Sequence, residues 1–233
     1  MSLAFSSQLA HFQIQRGIVG SIGEIGTYYG KYFFSISTAA LPVEPKVAID
    51  IFEDQTKNVD GSGSFVNSTR FREHAANLDV ANLHILSQDS STVTVSTLHA
   101  RKLPPFRMFS VDGAHYKAAT LRDLKLAYCS IRRDGVIVLD DWDNFEWTGV
   151  MDASYEFMHQ VPDAAPFLYL CNKLYFTTRQ HHALYFDFVL KNPCTPCSAV
   201  SLNNGDMHPS RYEIMGYKVC MVVSQDCAKW CGQ

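Results

Sequence analysis

The sequence has no long apolar run and no strong excess of charge of either sign. No stretch approaches the roughly 20 apolar residues that a membrane-spanning helix needs, and the N-terminus has neither the basic start nor the apolar core of a signal peptide. Charged residues make up only 18% of the 233 residues, with a net charge of -3. Such a chain has no long-range attraction for phosphate backbones or anionic lipid. We therefore expect a cytoplasmic protein whose partner is neither a nucleic acid nor a membrane.

The cysteines do not form a regular framework. The chain has seven cysteines, an odd number, and it is large enough to be stable without disulfide bonds. We therefore expect reduced thiols. Four of them could be imagined as a structural zinc site: Cys194, Cys197, Cys220 and Cys227. Complete zinc sites usually show two spaced Cys-x-x-Cys pairs, and this chain has one. Zinc is therefore the minor alternative.

Short apolar segments alternate with helical patterns along most of the chain. Strands are predicted over about 18–25, 46–52 and 83–86, each followed by a polar or glycine-containing turn. This alternation predicts a doubly wound α/β fold, with a mainly parallel sheet and helices on both faces. With 47% hydrophobic residues, the chain can bury one substantial core, so we expect a single domain over residues 1–233.

Two predicted buried strands end in acidic residues. The first ends at Asp112, and after an amphipathic helix over 116–132 the second ends at Asp140 and Asp141. A helical crossover in a parallel sheet brings both strand ends to the same edge, where open α/β sheets bind ligands. Three carboxylates and His115 should therefore converge there. We interpret the cluster as a magnesium centre, because Mg²⁺ prefers oxygen ligands, with a histidine base beside it.

The turn after the first strand indicates which ligand lies next to this cluster. Glu24 ends the strand, and Gly26 and Gly30 lie in the turn that follows. A dinucleotide site would space its glycines to hold pyrophosphate, and a carboxylate at this place would repel a phosphate. Glu24 suits a cationic amino group better.

Polar residues after the next two strands could contact further parts of the same ligand. Asp50 could accept hydrogen bonds from a ribose diol, and Asp89 and Ser90 could reach the edge of an adenine ring. Amino acid, ribose and adenine together make up S-adenosylmethionine. Each residue alone is more often a turn former, and the prediction depends on their order along the chain.

Five segments carry a resemblance to a known family: EIGTYYG, AIDIFEDQTKNVDGSGS, SQDSS, FSVDGAHYKAATLRDL and GVIVLDDW. Together they resemble the class I S-adenosylmethionine-dependent methyltransferases, and more narrowly the group related to macrocin O-methyltransferase, which modifies sugar hydroxyls. The resemblance covers about residues 17–178 and leaves 179–233 as an extension of unknown role. It implies a Rossmann-like, seven-stranded sheet with an antiparallel closing strand near 173–178.

The resemblance also implies roles for individual residues. The catalytic residues would be His115, as general base, and Asp112. The magnesium ligands would be Asp112, Asp140 and Asp141. The cofactor-binding residues would be Glu24, Gly26, Tyr28, Asp50, Asp89, Ser90 and Asp112. This chain departs from the family's usual small residues at Thr27-Tyr28-Tyr29 in the glycine turn. The implied activity is magnesium-dependent O-methylation of a hydroxyl on a sugar or another small polyhydroxylated molecule.

Other interpretations stay open at this point. The chain could be a non-catalytic module that binds S-adenosylmethionine, or, with less support, an NAD-dependent oxidoreductase. Asp112 before Gly113 could be a turn former, and His115 could start a helix without a chemical role. The aromatic-rich C-terminal third could supply an interface for a homo-oligomer.

Overall fold

A mainly parallel sheet of eight strands forms the centre of the computed structural model, which describes residues 2–63, 66–192 and 213–222. In chain order, its strands are β1 (Ser21–Ile25), β2 (Lys46–Asp50), β3 (Leu83–Ser87), β4 (Phe106–Val111), β5 (Ile131–Leu139), β6 (Ala164–Leu170), β7 (Lys173–Thr178) and β10 (Cys220–Val222). Their spatial order is β10-β6-β7-β5-β4-β1-β2-β3. Only β7 runs antiparallel to its neighbours β5 and β6. Two further short strands, β8 (Glu213–Ile214) and β9 (Tyr217–Lys218), form a separate antiparallel pair.

The predicted fold class is confirmed, and the predicted strand count differs by one. The antiparallel closing strand lies at Lys173–Thr178, as the resemblance implied. The eighth strand, β10, belongs to the C-terminal extension and pairs with β6 in parallel. It covers an edge whose backbone groups would otherwise lack partners. Three residues are too few to show a strand period, so the sequence pattern could not count this strand.

Seven α-helices cover the two faces of the sheet in the described part of the chain. They are α1 (Ser2–Gln15), α2 (Lys31–Ser37), α3 (Ser68–Asn77), α4 (Val95–Ala100), α5 (Lys117–Ser130), α6 (Thr148–Gln160) and α7 (His182–Lys191). Phe109 packs in one buried cluster with α5 and α6, while its neighbour Met108 packs in another with α1, α2 and α7. Successive strand residues point to opposite faces. Because both faces are covered, β4 is buried along its whole length.

A buried ion pair ties β4 to the segment before β2. Arg107 Nε donates to Glu44 Oε1 at 2.7 Å and Arg107 Nη2 donates to Glu44 Oε2 at 2.9 Å. Arg107 Nη1 also donates to Gln13 Oε1 at 2.8 Å. The two-pronged geometry is the strong form of this interaction. It fixes α1 and the segment before β2 against the centre of the sheet.

The expectation of reduced cysteines is wrong for two of them. Cys171 and Cys220 are disulfide-bonded, while Cys129 is free and exposed. Cys220 is therefore unavailable as a zinc ligand, and Cys194, Cys197 and Cys227 lie outside the described residues. Disulfides persist in oxidising compartments. The cytoplasmic location thus loses the support of reduced thiols and stays a prediction.

Among the described residues, no helix has both the length and the apolar character needed to cross a bilayer.

Candidate active site

A cavity of about 510 Å³ opens beside the carboxyl ends of β1, β2 and β4. This volume is typical of small-molecule sites. Most of the residues predicted to bind the cofactor line it, together with His115: Gly26, Tyr28, Asp50, Asp89, Ser90 and Asp112. The loop between β2 and α3 supplies a further wall through residues 55–60, Ser62 and Gly63. The structure thus brings together residues that lie far apart in the sequence.

The turn after β1 depends on glycine and on a left-handed backbone. Gly26 has φ of 78°, and a Cβ there would lie 1.8 Å from the carbonyl oxygen of Asp112. No side chain fits at that distance, so only glycine allows β1 and β4 to approach at this point. Tyr28 also has a positive φ, of 49°, and its side chain is 45% exposed. Thr27 is buried, whereas Tyr28 is partly exposed at the wall of the cavity and packs its ring against Tyr29.

Asp50 holds this turn as well as lining the cavity. Asp50 Oδ2 accepts a hydrogen bond from Tyr28 N at 2.8 Å, and Asp50 Oδ1 accepts one from Phe52 N at 2.7 Å. Burial raises the pKa of Asp50, although these backbone N–H groups oppose the shift. The carboxylate therefore lines the cavity and also orders the backbone around it, while its role towards a ribose stays a prediction.

Glu24 is a buried carboxyl group whose oxygens make no well-formed hydrogen bond, although the nearby Ser110 hydroxyl opposes the rise of its pKa. Its side chain lies in β1 and is 1% exposed. Burial raises the pKa of Glu24 to about 8, against the opposing charge of Lys173. A buried polar group without a well-formed hydrogen bond is costly. The side chain does not line the cavity, and its predicted role at the amino group of a cofactor stays a prediction.

The segment after β3 is fixed by two carboxylates. Asp89 Oδ1 accepts from Ser91 N at 2.8 Å, and Ser90 Oγ donates to Asp123 Oδ2 at 3.1 Å. Burial raises the pKa of Asp123 to about 6. Asp123 is only 1% exposed, although it lies on the amphipathic helix predicted over 116–132. The sequence did not indicate that Asp123 is buried. The hydrophobic period of α5 shows which face of the helix packs on the sheet, but it does not show which loops cover the residues of the helix.

The acidic cluster lies where β4 and β5 end side by side. Val111 pairs with Leu139, so Asp112 and Asp140 follow at the same level. Ligand atoms of Asp112, His115 and Asp141 lie within 4.8 Å of one another. Burial, together with the charge of Asp140, raises the pKa of Asp112 well above its usual value. Two carboxylates and an imidazole at this spacing form a donor set that fits a divalent cation.

Asp140, the third predicted metal ligand, has other partners. Its Oδ2 accepts a hydrogen bond from the ammonium group of Lys173, and its Oδ1 accepts one from Asp141 N at 2.9 Å. Burial alone would lower the pKa of Lys173, but the charges of Asp140 and Asp112 outweigh it and raise that pKa. Sequence reasoning missed Lys173, because it begins an ordinary apolar strand. The structure therefore brings Asp112 and Asp141 together with His115. Asp140 instead forms an ion pair with Lys173.

His115 lies between two carboxylates. Its Nε2 is 3.0 Å from Asp141 Oδ2 and its Nδ1 is 3.1 Å from Asp60 Oδ2. Its ring stacks on Trp147 with a centroid distance of 4.6 Å. Burial alone would lower the pKa of His115, but the hydrogen bonds and charges of Asp141 and Asp60 raise it. The ring is thus held in one orientation next to the cavity, where it could accept a proton.

The fold and this site define an S-adenosylmethionine-dependent methyltransferase. The sheet order, the glycine turn after β1 and the polar strand ends around one cavity form the arrangement predicted for this class. Residues 24–142 match the family model described as "Methyltransferase domain". The chain belongs to that family.

Solved structures show the same fold at low sequence identity. The O-methyltransferase NovP is 16% identical, with a TM-score of 0.63, over 76% of this chain and 80% of its own. CalS11, a TDP-rhamnose 3'-O-methyltransferase of calicheamicin biosynthesis, is 16% identical, with a TM-score of 0.56, over 74% and 77%. TomG from Streptomyces achromogenes, solved with S-adenosylmethionine, is 19% identical, with a TM-score of 0.52, over 74% and 79%. No curated protein sequence matches the chain.

Proposed function

We propose that this methyltransferase acts on oxygen, transferring the methyl group of S-adenosylmethionine to a hydroxyl of a sugar or another small polyhydroxylated molecule. The observation that carries the proposal is the position of His115. It combines a base with a candidate cation site, formed with Asp112 and Asp141, at the wall of the cavity. Methylation of an alcohol requires removal of the hydroxyl proton, and these three residues are suited to that task.

The cofactor would lie along the carboxyl ends of β1, β2 and β3. The free carboxyl group of Glu24 would receive its amino group, and Asp50 would accept from its ribose hydroxyls. Asp89 and Ser90 would contact its adenine ring. Most of these residues line the cavity, while Glu24 lies one residue before Ile25 in its wall. This arrangement supports the roles that the sequence predicted for them.

Asp112 and Asp141 would hold a magnesium ion. When bound, the ion would lower the pKa of an acceptor hydroxyl through Lewis-acid polarisation. His115 would take the proton as the acceptor oxygen forms its bond to the methyl group and the bond from that carbon to sulfur breaks. Asp141 and Trp147 would keep the imidazole in place while this happens.

The acceptor class is supported by the activities described for structural neighbours. CalS11 is described as a TDP-rhamnose 3'-O-methyltransferase, and NovP and TomG are described as O-methyltransferases. Because their sequence identity to this chain is low, these proteins suggest acceptors to test but do not identify the substrate. TDP-rhamnose and a simple catechol are suitable first acceptors, because both present adjacent hydroxyls.

Calorimetric titration tests the proposal first. The purified protein is titrated with S-adenosylmethionine and with NAD, each with Mg²⁺ and after chelation. The bound protein is then incubated with each acceptor, and the transfer of one methyl group is followed by mass spectrometry. Binding of S-adenosylmethionine followed by magnesium-dependent methylation supports the proposal. Cofactor binding without methylation of a broad acceptor panel favours the non-catalytic module, and binding of NAD alone favours the oxidoreductase.

A further inference from the structure

Lys173 begins β7 at the edge of the sheet where the acidic cluster lies. β7 runs antiparallel to β5, and Leu174 pairs with Leu139. The same register places Lys173 opposite Asp140, which follows Leu139 directly. Because β7 is antiparallel, its first residue lies where β5 ends. The fold thereby brings an ammonium group to the carboxyl ends of the parallel strands.

The ammonium group of Lys173 is buried and has two binding partners. It forms an ion pair with Asp140 Oδ2, and it lies over the ring of Tyr32, 4.4 Å from the centroid, in a cation–π contact. The Tyr32 hydroxyl is hydrogen-bonded to Ser6 Oγ at 2.8 Å. The Lys173 side chain is only 7% exposed. Water therefore competes weakly for the ion pair, and the ammonium group is held in one place.

The residue before Lys173 binds the neighbouring carboxylate. Asn172 Nδ2 donates to Asp141 Oδ1 at 2.6 Å, while Asp141 Oδ2 faces His115 Nε2 at 3.0 Å. Two adjacent residues of one turn thus bind two adjacent carboxylates. They direct Asp141 to the candidate cation site and Asp140 to the lysine.

Asp140 is the carboxylate that this arrangement keeps out of the candidate cation site. Burial and the charge of Asp140 raise the pKa of Asp112, so the two carboxyl groups lie close together. The ligand atoms within 4.8 Å of one another nevertheless come from Asp112, His115 and Asp141, and Asp140 is not part of that set. The affinity of an oxygen site for a hard cation depends on how many charged ligands surround the ion. A lysine that binds Asp140 therefore removes one carboxylate from the coordination of the ion.

We propose that Lys173 limits the Mg²⁺ affinity of this site by binding Asp140, which would otherwise be a further ligand of the ion. The inference rests on the proposed function, because it deepens the metal site proposed there. Removal of the ammonium group should release Asp140 towards the ion, so that a carboxylate oxygen replaces a metal-bound water. Tighter metal binding and the loss of a bound water can both be measured without cofactor or acceptor.

Calorimetric titration of the cofactor-free protein with Mg²⁺ measures the affinity. We expect Lys173→Met to bind Mg²⁺ at least about tenfold more tightly than the wild type, and the double variant Lys173→Met/Asp140→Asn to return to about the wild-type affinity. Lys117→Met is the matched control, because it removes the same charge from a lysine that pairs with Asp152 and Glu156 at the surface. It should bind Mg²⁺ as the wild type does. Unchanged or weaker binding by Lys173→Met, with its fold confirmed by circular dichroism, would overturn the proposal.

The number of metal-bound waters separates a new ligand from a change of charge alone. Carboxylate sites that suit Mg²⁺ also suit Mn²⁺, whose bound waters can be counted by electron paramagnetic resonance in H₂¹⁷O. We expect about one water fewer in Lys173→Met than in the wild type. The double variant and Lys117→Met should keep the wild-type number. Equal numbers in all four proteins would refute the proposal, because Asp140 would then not reach the ion.

Asp140→Asn provides a second test that does not depend on the folding of Lys173→Met. Its amide oxygen can still accept from the ammonium group, so the fold should persist. Because the proposal excludes Asp140 as a ligand in the wild type, this variant should bind Mn²⁺ with the wild-type number of waters, and an additional water would contradict the proposal.

Failure of the proposed function gives a different result from failure of this inference. Absence of Mn²⁺ binding in both the wild type and Lys173→Met refutes the inference. Metal binding in the expected order, without methylation of any acceptor in the panel, refutes the O-methyltransferase activity and leaves the role of Lys173 supported.

Discussion

Glu24 should make the stability of the cofactor-free protein depend on pH. Its pKa rises from 4.5 to about 8 on folding because the carboxyl group is buried. Between those values the folded protein keeps a proton that the unfolded chain has lost. The free energy of unfolding therefore falls as pH rises, by about 1.4 kcal/mol per pH unit. From about pH 5.5 to about pH 7.5 the loss attributable to Glu24 is about 3 kcal/mol.

The contribution of Glu24 to the free energy of unfolding can be measured by urea unfolding of the wild type and of Glu24→Gln between about pH 5.5 and about pH 7.5. Glutamine has a similar size but no proton to lose. The difference in the free energy of unfolding between the wild type and the variant should change by about 3 kcal/mol, to the disadvantage of the wild type, from the lower to the higher pH. Glu73→Gln is the control, because Glu73 is exposed on α3, and its curve should run parallel to that of the wild type. Parallel curves for Glu24→Gln as well would refute the burial argument.

Cofactor binding should reverse the protonation of Glu24. At about pH 7, roughly nine-tenths of the buried carboxyl is protonated, and pairing with the cofactor's ammonium group would ionise it. Calorimetry in buffers of different ionisation enthalpy should therefore show release of about one proton in the wild type and less in Glu24→Gln. The variant should also bind about 10- to 150-fold more weakly, because a charge-assisted hydrogen bond is lost. An equal proton count would contradict an amino group at Glu24.

Three further perturbations test other parts of the structure. His115→Ala should slow methyl transfer by about a hundredfold or more while cofactor affinity stays unchanged, and an unchanged rate would exclude the residue as the base. Asp141→Asn should weaken calorimetric Mg²⁺ binding at least about tenfold more than Asp140→Asn does, since Asp140 already has a cationic partner; equal losses would make Asp140 a ligand. Arg107→Ala should lower the free energy of unfolding by about 3–5 kcal/mol in urea, because it leaves Glu44 buried without its partner; a loss below about 1 kcal/mol would show that the pair is not needed.

The metal site shows where sequence reasoning needed the structure. The sequence indicated two strands that end in Asp112 and Asp140, and their parallel pairing brings those ends together. It could not indicate that Lys173, 33 positions away, would pair with Asp140. Adjacent carboxylates need a cation, and the sequence does not say whether a metal or a lysine supplies it. That choice depends on how β7 packs beside β5.

The disulfide-bonded cysteines are a second feature that the sequence did not indicate. The expectation of reduced thiols came from cysteine count and chain length, which say nothing about the spacing of individual sulfur atoms. Cys171 lies at the β6–β7 turn, and Cys220 begins the strand that pairs with β6. The tertiary structure, and not the cysteine count, shows that these two cysteines are disulfide-bonded.

By itself, the sequence determined the α/β class, the strand ends that carry acids and the glycine turn at Gly26. These features follow from hydrophobic period, strand ends and backbone conformation, which are local properties. Only the tertiary structure decided that Asp60 reaches His115, that Asp123 is buried under Ser90 and that Asp140 faces Lys173. Each of these contacts joins side chains from distant elements. Their distances depend on how loops and helices pack, and no local pattern in the chain records that packing.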